Sequence, residues 1–273
     1  MGNNKGYVTV GKPKINGAIF RAPVGTPYPI PADDTPLAYA AAATEELDAA
    51  FECMGYLSSD GMTNNNSKTS TEIRAWGGQV VLAPMTEHTD TFAGTFIESL
   101  NAAVQKAANG DDNVSGSMEQ GGMFITIDSS DDIEHVYVID MIITGGSKKR
   151  IVIPYGKISE VGEISYKDDE AVGYPLTIMC LPNPVDEKNH YEYVAPKPVV
   201  TLDKTTATVV VAATTALTAT VVPSGATVTW GSSNTAVASV SGGTVTGVAA
   251  GRATITATFG GTTAACEVTV TST

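Results

Sequence analysis

The segment Ala195-Pro196-Lys197-Pro198 separates two stretches of sequence that differ in composition. Residues 1–194 hold 13 Lys and Arg against 27 Asp and Glu, a net charge of −14, whereas the residues from 197 onward hold three basic and two acidic side chains, a net charge of +1. Each proline fixes φ, removes a backbone donor and favours an extended conformation in the residue before it. The segment therefore predicts a stiff linker at 195–198 between a body at 1–194 and an appended module at 199–273.

Composition excludes several classes of protein. The chain has no run of about 18 apolar residues, which predicts no membrane-spanning helix. No apolar segment follows Met1, so we expect no secretory signal. Three widely spaced cysteines favour free thiols in a reducing cytoplasm over a disulfide framework. The acidic body disfavours a protein that grips DNA, although DNA can slide past an acidic surface.

The body begins with a proline-rich stretch. Five prolines between Pro23 and Pro36 exclude helix and central strand, and they predict a long extended loop. Thr44 as N-cap then predicts a short helix that runs to Met54. Apolar residues at helical spacing predict a second helix at 99–108.

Most of the remaining body alternates in hydrophobicity as strands do. Predicted strands or extended segments lie at 7–10, 17–22, 72–76, 79–83, 89–97, 123–128, 135–143, 148–154, 157–167 and 172–181. Gly145-Gly146 predicts a hairpin turn between two of them. The fold class is therefore mainly β, a β-sandwich or barrel-like sheet with a flanking α-helix.

The body shows no recognisable catalytic or metal-binding pattern. His88, His135 and His190 have no Cys or His at ligand spacing. The acidic run at 128–132 lacks the central Gly and the final Glu of a calcium-binding loop. None of the common hydrolase, phosphate-loop or metalloprotease motifs occurs. We therefore expect no catalytic residue, no cofactor and no metal, and do not expect an enzyme.

Several short sequence segments of the body, taken in order, resemble the major tail tube proteins of long-tailed bacteriophages. These segments are 20–27 (FRAPVGTP), 50–51 (AF), 55–61 (GYLSSDG), 73–78 (IRAWGG), 96–101 (FIESLN), 110–114 (GDDNV), 150–154 (RIVIP), 161–163 (VGE) and 166–171 (YKDDEA). The resemblance implies a β-sandwich with a flanking helix that assembles into hexameric rings. The rings stack into a tube around the tape measure protein, and double-stranded DNA later passes through it.

The resemblance also suggests functional residues and partners. The proline-rich loop would correspond to a loop that reaches the adjacent ring, and its candidate residues are Pro23, Thr26, Pro27, Pro29, Pro31, Asp33 and Asp34. Acidic side chains would line the lumen and repel DNA, and the candidates are Glu72, Asp128, Glu160 and Glu163. Implied partners are other copies of the chain, the tape measure protein, the tail terminator and the distal tail proteins. The implied location is the virion tail, assembled in the host cytoplasm.

The module alternates with period two and carries turn signals at short intervals, as a small Ig-like sandwich does. It resembles the group 2 bacterial Ig-like domain, with Trp230 and Ile255 expected in its core. The matching phrases are Pro223, 228–230 (VTW), 232–234 (SSN), 237–240 (VASV), 243–247 (GTVTG) and 251–257 (GRATITA). Similar domains decorate phage tails and bacterial surfaces, and some bind cell-surface carbohydrate. A spacer or decoration is favoured here over a carbohydrate-binding domain.

Two other functions remain open from the sequence. The chain could be a bacterial surface adhesin built from β modules, or another phage structural protein such as a baseplate or head decoration subunit. The missing signal peptide and the acidic, helix-bearing body disfavour the adhesin.

Overall fold

The computed structural model describes residues 8–13 and 18–272, which form many β-strands and two α-helices, α1 (Pro36–Ala42) and α2 (Ala102–Asn109). The predicted mainly β fold with a flanking helix is confirmed. The extended segments predicted at 7–10 and 17–22 begin at residues outside the described ranges. All three cysteines are free, as predicted.

The body contains one nine-stranded sheet and two small hairpins. The sheet strands are β1 (Gly11–Pro13), β2 (Ile19–Pro23), β3 (Glu52–Cys53), β4 (Leu57–Ser70), β7 (Met85–Phe96), β10 (His135–Ile143), β11 (Ser147–Val161), β12 (Tyr174–Cys180) and β13 (Tyr191–Ala195). The hairpins are β5 (Ile73–Arg74) with β6 (Val80–Leu82), and β8 (Val114–Ser117) with β9 (Gly122–Ile125).

The strand order of the sheet is β3-β2-β10-β11-β12-β7-β4, with β1 beside β10 and β13 beside β11. All of these neighbours are antiparallel. The long strand β11 joins two groups of strands, because its first half pairs with β10 and β13 whereas residues 156–161 pair with β12. The hairpin predicted at Gly145-Gly146 is confirmed as the connection between β10 and β11.

Strand β10 lies at the centre of the body because its two faces enter different cores. Tyr137 and Ile139 pack in a core that includes Val104 of α2, whereas Val138 packs on the opposite face with Ala42 of α1. Side chains alternate between the two faces of a strand. A strand covered on both faces is mainly apolar, which explains the consecutive apolar residues 136–139 of β10.

The helix predicted from Thr44 to Met54 is wrong, and the first helix lies earlier, at α1. Pro36 occupies the first turn of α1, where a missing N–H costs little. The Thr35 side chain caps this helix by accepting a hydrogen bond from the Ala38 N–H at 3.3 Å. Thr44 instead follows the C-terminal end of this helix, where its hydroxyl donates to the Ala40 carbonyl at 3.0 Å.

A buried arginine fixes the chain after α1. Arg150 of β11 donates to both carboxylate oxygens of Asp140, at 2.7 and 2.9 Å. It also donates to the carbonyls of Ala42 and Glu45, at 3.0 and 2.7 Å. These contacts hold residues 42–45 against the sheet and satisfy carbonyls that a continuing helix would otherwise use.

The second predicted helix is confirmed, although it begins at Ala102 rather than Ser99. The Asn101 side chain accepts from the Ala103 N–H at 2.9 Å, and Gly110 ends the helix with φ 90°. The strands predicted at 72–76 and 79–83 form the short β5–β6 hairpin. Sequence analysis did not predict β4, the longest partner of β7.

The module forms three small sheets. Its strands are β14 (Val199–Leu202), β15 (Thr206–Val210), β16 (Thr214–Ala216), β17 (Ala219–Val222), β18 (Thr229–Ser232), β19 (Ala238–Ser241), β20 (Thr244–Gly247), β21 (Gly251–Phe259) and β22 (Thr262–Thr271). The sheets are β14-β17, β15-β22-β21-β18 and β16-β20-β19. They enclose one core, in which Ile255 is fully buried and against which Trp230 packs.

Candidate assembly surfaces

Strands β4 and β7 continue beyond the sheet as a two-stranded arm. They pair from Leu57 with Phe96 out to Ser70 with Met85, whereas β12 accompanies β7 only as far as Thr91. Every residue from 63 to 88 is exposed, and we call this segment the arm. A two-stranded hairpin is at best marginally stable in water. The arm therefore has the properties of an element that another chain covers.

The tip of the arm carries exposed apolar side chains. Trp76 is fully exposed, and the other exposed apolar residues at the tip are Ile73, Val80, Val81, Leu82 and Met85. Gly77 and Gly78 have φ of 105° and 90°, so the turn beside Trp76 requires residues without a Cβ. An exposed apolar cluster of this kind marks a site of contact with another protein.

The arm also leaves a long strand edge open. In the described sheet, β4 is the last strand and pairs on one side only, with β7. The opposite end of the sheet is the two-residue strand β3. An edge strand of 14 residues presents a row of unpaired backbone N–H and C=O groups, which can pair with a strand of another chain.

The proline-rich loop, unlike the arm, packs in part against the core of the body. Pro23 ends β2, and the other predicted ring-contact residues follow it in the irregular segment before α1. Pro29 is buried, and Tyr28 packs in the core beside α1, where its ring lies 6.4 Å from that of Tyr191. Ile30, which directly follows these two residues, is exposed.

The two predicted acidic residues of the loop contact the first turn of α1. Asp33 accepts from the Thr35 hydroxyl at 2.5 Å, and Asp34 accepts from the Tyr39 hydroxyl. Thr26 forms a turn with Pro23, through a backbone hydrogen bond of 3.1 Å. Of the predicted loop residues, Pro27 is exposed and Pro31 is half-buried.

The fold brings together two of the four acidic lumen candidates. Asp128 and Glu160 line one cleft of about 260 Å³, together with Asp131 and Asp132. Hydrogen bonds from Ser130 and Asn113 lower the pKa of Asp128, and Lys157 lowers the pKa of Asp131. Burial raises the pKa of Asp132. This acidic cleft was not evident from the sequence, because β11 brings residue 160 to the 128–132 segment only in the folded chain.

The other two lumen candidates lie elsewhere. Glu72 is on the arm, where it pairs with Arg74. Glu163 is exposed and follows the end of β11. The four candidates therefore do not form one cluster within a single chain.

A buried network supports the body near α2. Arg21 of β2 donates to the Ala103 carbonyl at 3.3 Å and contacts Asp111. His135 lies 2.9 Å from Asp111 through Nε2, and its Nδ1 faces the Ile133 carbonyl at 3.1 Å. Burial alone raises the pKa of Asp111, but His135 and the charge of Arg21 outweigh burial and lower that pKa to about 2. The network links β2, β10 and the turn after α2.

One cleft of the described residues lies beside the start of α2. This cleft, of about 670 Å³, is open and is lined by the residues around 97–103 together with Glu52, Cys53 and 117–119. No helix of the described residues is both long enough and apolar enough to cross a membrane. The arm, with its apolar tip and open edge, is therefore the most distinctive surface of the molecule.

Comparison with known proteins gives two family matches. A family model described as "Phage tail tube protein" matches residues 1–207, and one described as "Bacterial Ig-like domain (group 2)" matches residues 198–270. The two matches overlap at 198–207. No curated protein matches the chain.

Proposed function

Because this chain belongs to the phage tail tube protein family, and also carries a group 2 bacterial Ig-like domain, we propose that it polymerises as stacked hexameric rings. The rings form the tube through which double-stranded DNA reaches the host. The Ig-like domain decorates the outside of the tail. Tail tube proteins are structural components of the virion, and we assign the chain no catalytic activity.

The arm is the observation that carries this proposal. A subunit of a ring has to cover exposed strand edges and apolar side chains through contacts with identical copies. The open edge of β4 and the apolar tip around Trp76 supply both kinds of surface. Closed rings arise when one surface of a subunit binds a different surface of the next. In the proposed tube the arm lies against a neighbouring copy and becomes buried.

The proline-rich loop supplies a second contact in this proposal. Exposed residues such as Pro27 and Ile30 reach the adjacent ring, while Tyr28 and Pro29 anchor the loop to its own subunit. An anchored loop loses little conformational entropy when it docks. It would therefore complement the arm rather than replace it.

Electrostatics support the transport of DNA without binding. The body carries a net charge of −14, and a polyanion is repelled by a surface of the same sign. Glu72, Asp128, Glu160 and Glu163 remain the proposed lumen residues. In a ring, identical copies repeat each acidic side chain around the axis, so that residues scattered in one chain still form acidic belts.

The Ig-like domain is proposed to face outward. Strand β13 pairs with β11 in the body, and β14 pairs with β17 in the module, so that only residues 196–198 lie between the two sheets. We therefore retain domains at 1–194 and 199–273 with a linker at 195–198, although Ala195 is the last residue of β13. The module is near neutral, unlike the acidic body, so we propose that it does not line the acidic lumen.

Other partners follow from the family. We propose that the tube assembles in the host cytoplasm on the tape measure protein, between the distal tail proteins and the tail terminator. Carbohydrate binding by the module is the weaker proposal, because Trp230, its only tryptophan, packs against the Ig-like core.

Electron microscopy of the purified full chain tests the function. We expect long tubes of uniform width with an open lumen, and sixfold symmetry in averaged cross-sections. Isolated monomers or spikes at every concentration up to the solubility limit would contradict the proposal. An adhesin or a head decoration subunit would give that second result.

A further inference from the structure

A cluster of one carboxylate, one thiol and one imidazole lies at the root of the arm. Asp90 is on β7, Cys180 ends β12, and His190 directly precedes β13. Asp90 is 1% exposed, Cys180 is 3% exposed and the His190 side chain is 14% exposed. One ligand atom of each residue lies within 4.8 Å of the other two. Neither the proposed ring contacts nor the proposed lumen uses this cluster.

The surroundings of the cluster hold the imidazole ring in one orientation. Nδ1 of His190 lies 2.5 Å from a carboxylate oxygen of Asp90, and Nε2 lies 3.9 Å from Glu192. Glu192 in turn pairs with Lys149 at 2.8 Å. Phe92 packs edge-on against the ring, with centroids 5.2 Å apart. The second nitrogen of a metal-ligating histidine commonly faces a carboxylate that orients the ring, and Glu192 lies on that side of His190.

The carboxylate is also held in place. Asn64 of β4 donates to the second oxygen of Asp90 at 2.9 Å. That contact leaves the first oxygen of Asp90 facing His190, and the buried thiol of Cys180 lies beside both. Three different ligand types thus converge from three segments of chain.

We propose that Asp90, Cys180 and Nδ1 of His190 bind one zinc ion that fixes the root of the arm. A set of thiolate, imidazole and carboxylate ligands is typical of zinc sites. Tetrahedral zinc requires ligand atoms about 3.4–3.6 Å apart, given its usual bond lengths. Binding therefore requires Nδ1 of His190 and the Asp90 oxygen, which lie 2.5 Å apart, to separate by about 1 Å. A water molecule on the exposed side of His190 would be the fourth ligand.

The site lies where β12 ends beside β7, so the ion would have a structural role at the root of the arm. Met179 pairs with Thr91 in the last contact between β12 and β7, and beyond this pair the arm has no third strand. Zinc bound to Asp90 and Cys180 would continue the connection between these two strands by one more residue. His190 would add the chain that leads into β13. Binding displaces the thiol proton of Cys180 and the proton between His190 and Asp90, so that zinc uptake releases protons.

Metal analysis of the full chain, produced without a histidine tag, tests the proposal. After dialysis with zinc chloride and then with metal-free buffer, we expect about one zinc ion per chain. Cobalt should give the near-ultraviolet absorption of a thiolate–cobalt bond. Cys180→Ser should abolish that absorption and lower the zinc affinity more than about tenfold, since loss of an outer partner alone costs 10- to 100-fold.

Matched variants separate this site from other cysteines and histidines. Cys53→Ser and His88→Gln change residues outside the cluster, so both should bind zinc as the unchanged chain does. A folded chain that binds no zinc would overturn the proposal. Equal zinc affinity in a folded Cys180→Ser variant would do the same. If that variant does not fold, the cobalt spectrum of the unchanged chain decides, because absence of the thiolate band there also refutes the site.

Discussion

The body and the Ig-like module are both built from β-strands, but they differ in what they leave exposed. The body exposes large apolar side chains to solvent, and Trp76 is the most exposed of them. In the module, the exposed large apolar residues are all valines: Val199, Val210, Val211, Val222 and Val248. The module therefore buries most of its apolar surface in its own core, whereas the body leaves apolar side chains and a strand edge exposed. We expect this difference to separate assembly, a property of the body, from independent folding, a property of the module.

The largest effect should come from removing the arm. Replacing residues 68–88 by Asn-Gly keeps the pair between Ser67 and Thr89 and closes it with a favoured two-residue turn. We expect a folded chain that forms no tubes, since the apolar tip and the outer end of the open edge of β4 are both lost. Electron microscopy and sedimentation measure the outcome.

The module offers a matched control for the arm replacement. Gly260-Gly261 connects β21 and β22, and Gly261→Asn changes this hairpin turn without touching the body, since a Cβ at position 261 meets no atom within 4 Å. This variant should form normal tubes. Normal tubes from the armless chain would show that the body assembles through another surface.

The next largest effect concerns the stability of the body. Asp140→Ala leaves Arg150, which is 2% exposed, without its carboxylate partner. Loss of one partner of a buried ion pair costs about 3–5 kcal/mol in the free energy of unfolding. Urea titration followed by circular dichroism should show the body unfolding at lower urea. Trp230 fluorescence should report an unchanged transition of the module, and a parallel shift of both transitions would contradict the separation of the two regions.

A smaller effect is expected from single side chains at the tip. Trp76→Ala should leave the melting temperature of the monomer unchanged, because the ring is fully exposed. The concentration needed for polymerisation should rise about 30-fold, as expected for an interface residue worth about 2 kcal/mol.

Two exposed valines compare the arm with the module directly. Val81 on the arm is 60% exposed, and Val248 on the module is 47% exposed. Val81→Ala should raise the concentration needed for polymerisation, whereas Val248→Ala should not. Light scattering measures both, and equal responses would show that the tip has no special role.

The sequence predicted those elements whose local pattern agrees with their final packing. Strand β10 was predicted because its residues 136–139 form a continuous apolar run, and Gly145-Gly146 marks its turn. Helix α1 was missed because Pro36 was interpreted as a helix breaker, although proline is favourable in the first turn. Strand β4 was missed because its exposed Ser, Thr and Asn residues show no apolar alternation.

The sites were predicted less completely than the fold. The proline-rich loop was identified from its composition, but only the structure shows that Tyr28 ties it to the body. The cluster of Asp90, Cys180 and His190 has no ligand spacing in the sequence, because separate segments bring these residues together. Contacts between strands distant in the chain carry no local pattern that a sequence motif could capture.

Lowering the pH should destabilise the body more than the module. The pKa of Asp111 is lowered to about 2 in the folded body, below its value of about 3.9 in an unfolded chain. Asp111 therefore stabilises the body fully above pH ~4, and this contribution disappears as the pH falls toward about 2. The module holds only two carboxylates, Asp203 and Glu267, and should lose less stability over the same range.

Thermal unfolding between neutral pH and acid measures this small effect. Asp111→Asn should flatten the acid dependence of the melting temperature of the body. An unchanged pH profile in that variant would exclude Asp111 as a source of acid sensitivity.

Electron microscopy of a chain that ends at Pro196 tests the central claim most directly. Pro196 is chosen because Ala195 is 3% exposed and pairs with Lys148, so that a shorter chain would damage the body. Our account predicts tubes of the same inner diameter as those of the full chain, without projections on their outer surface. A truncated chain that is folded and soluble but forms no tubes would show that the module is required for assembly. That result would contradict our claim that the body alone forms the tube.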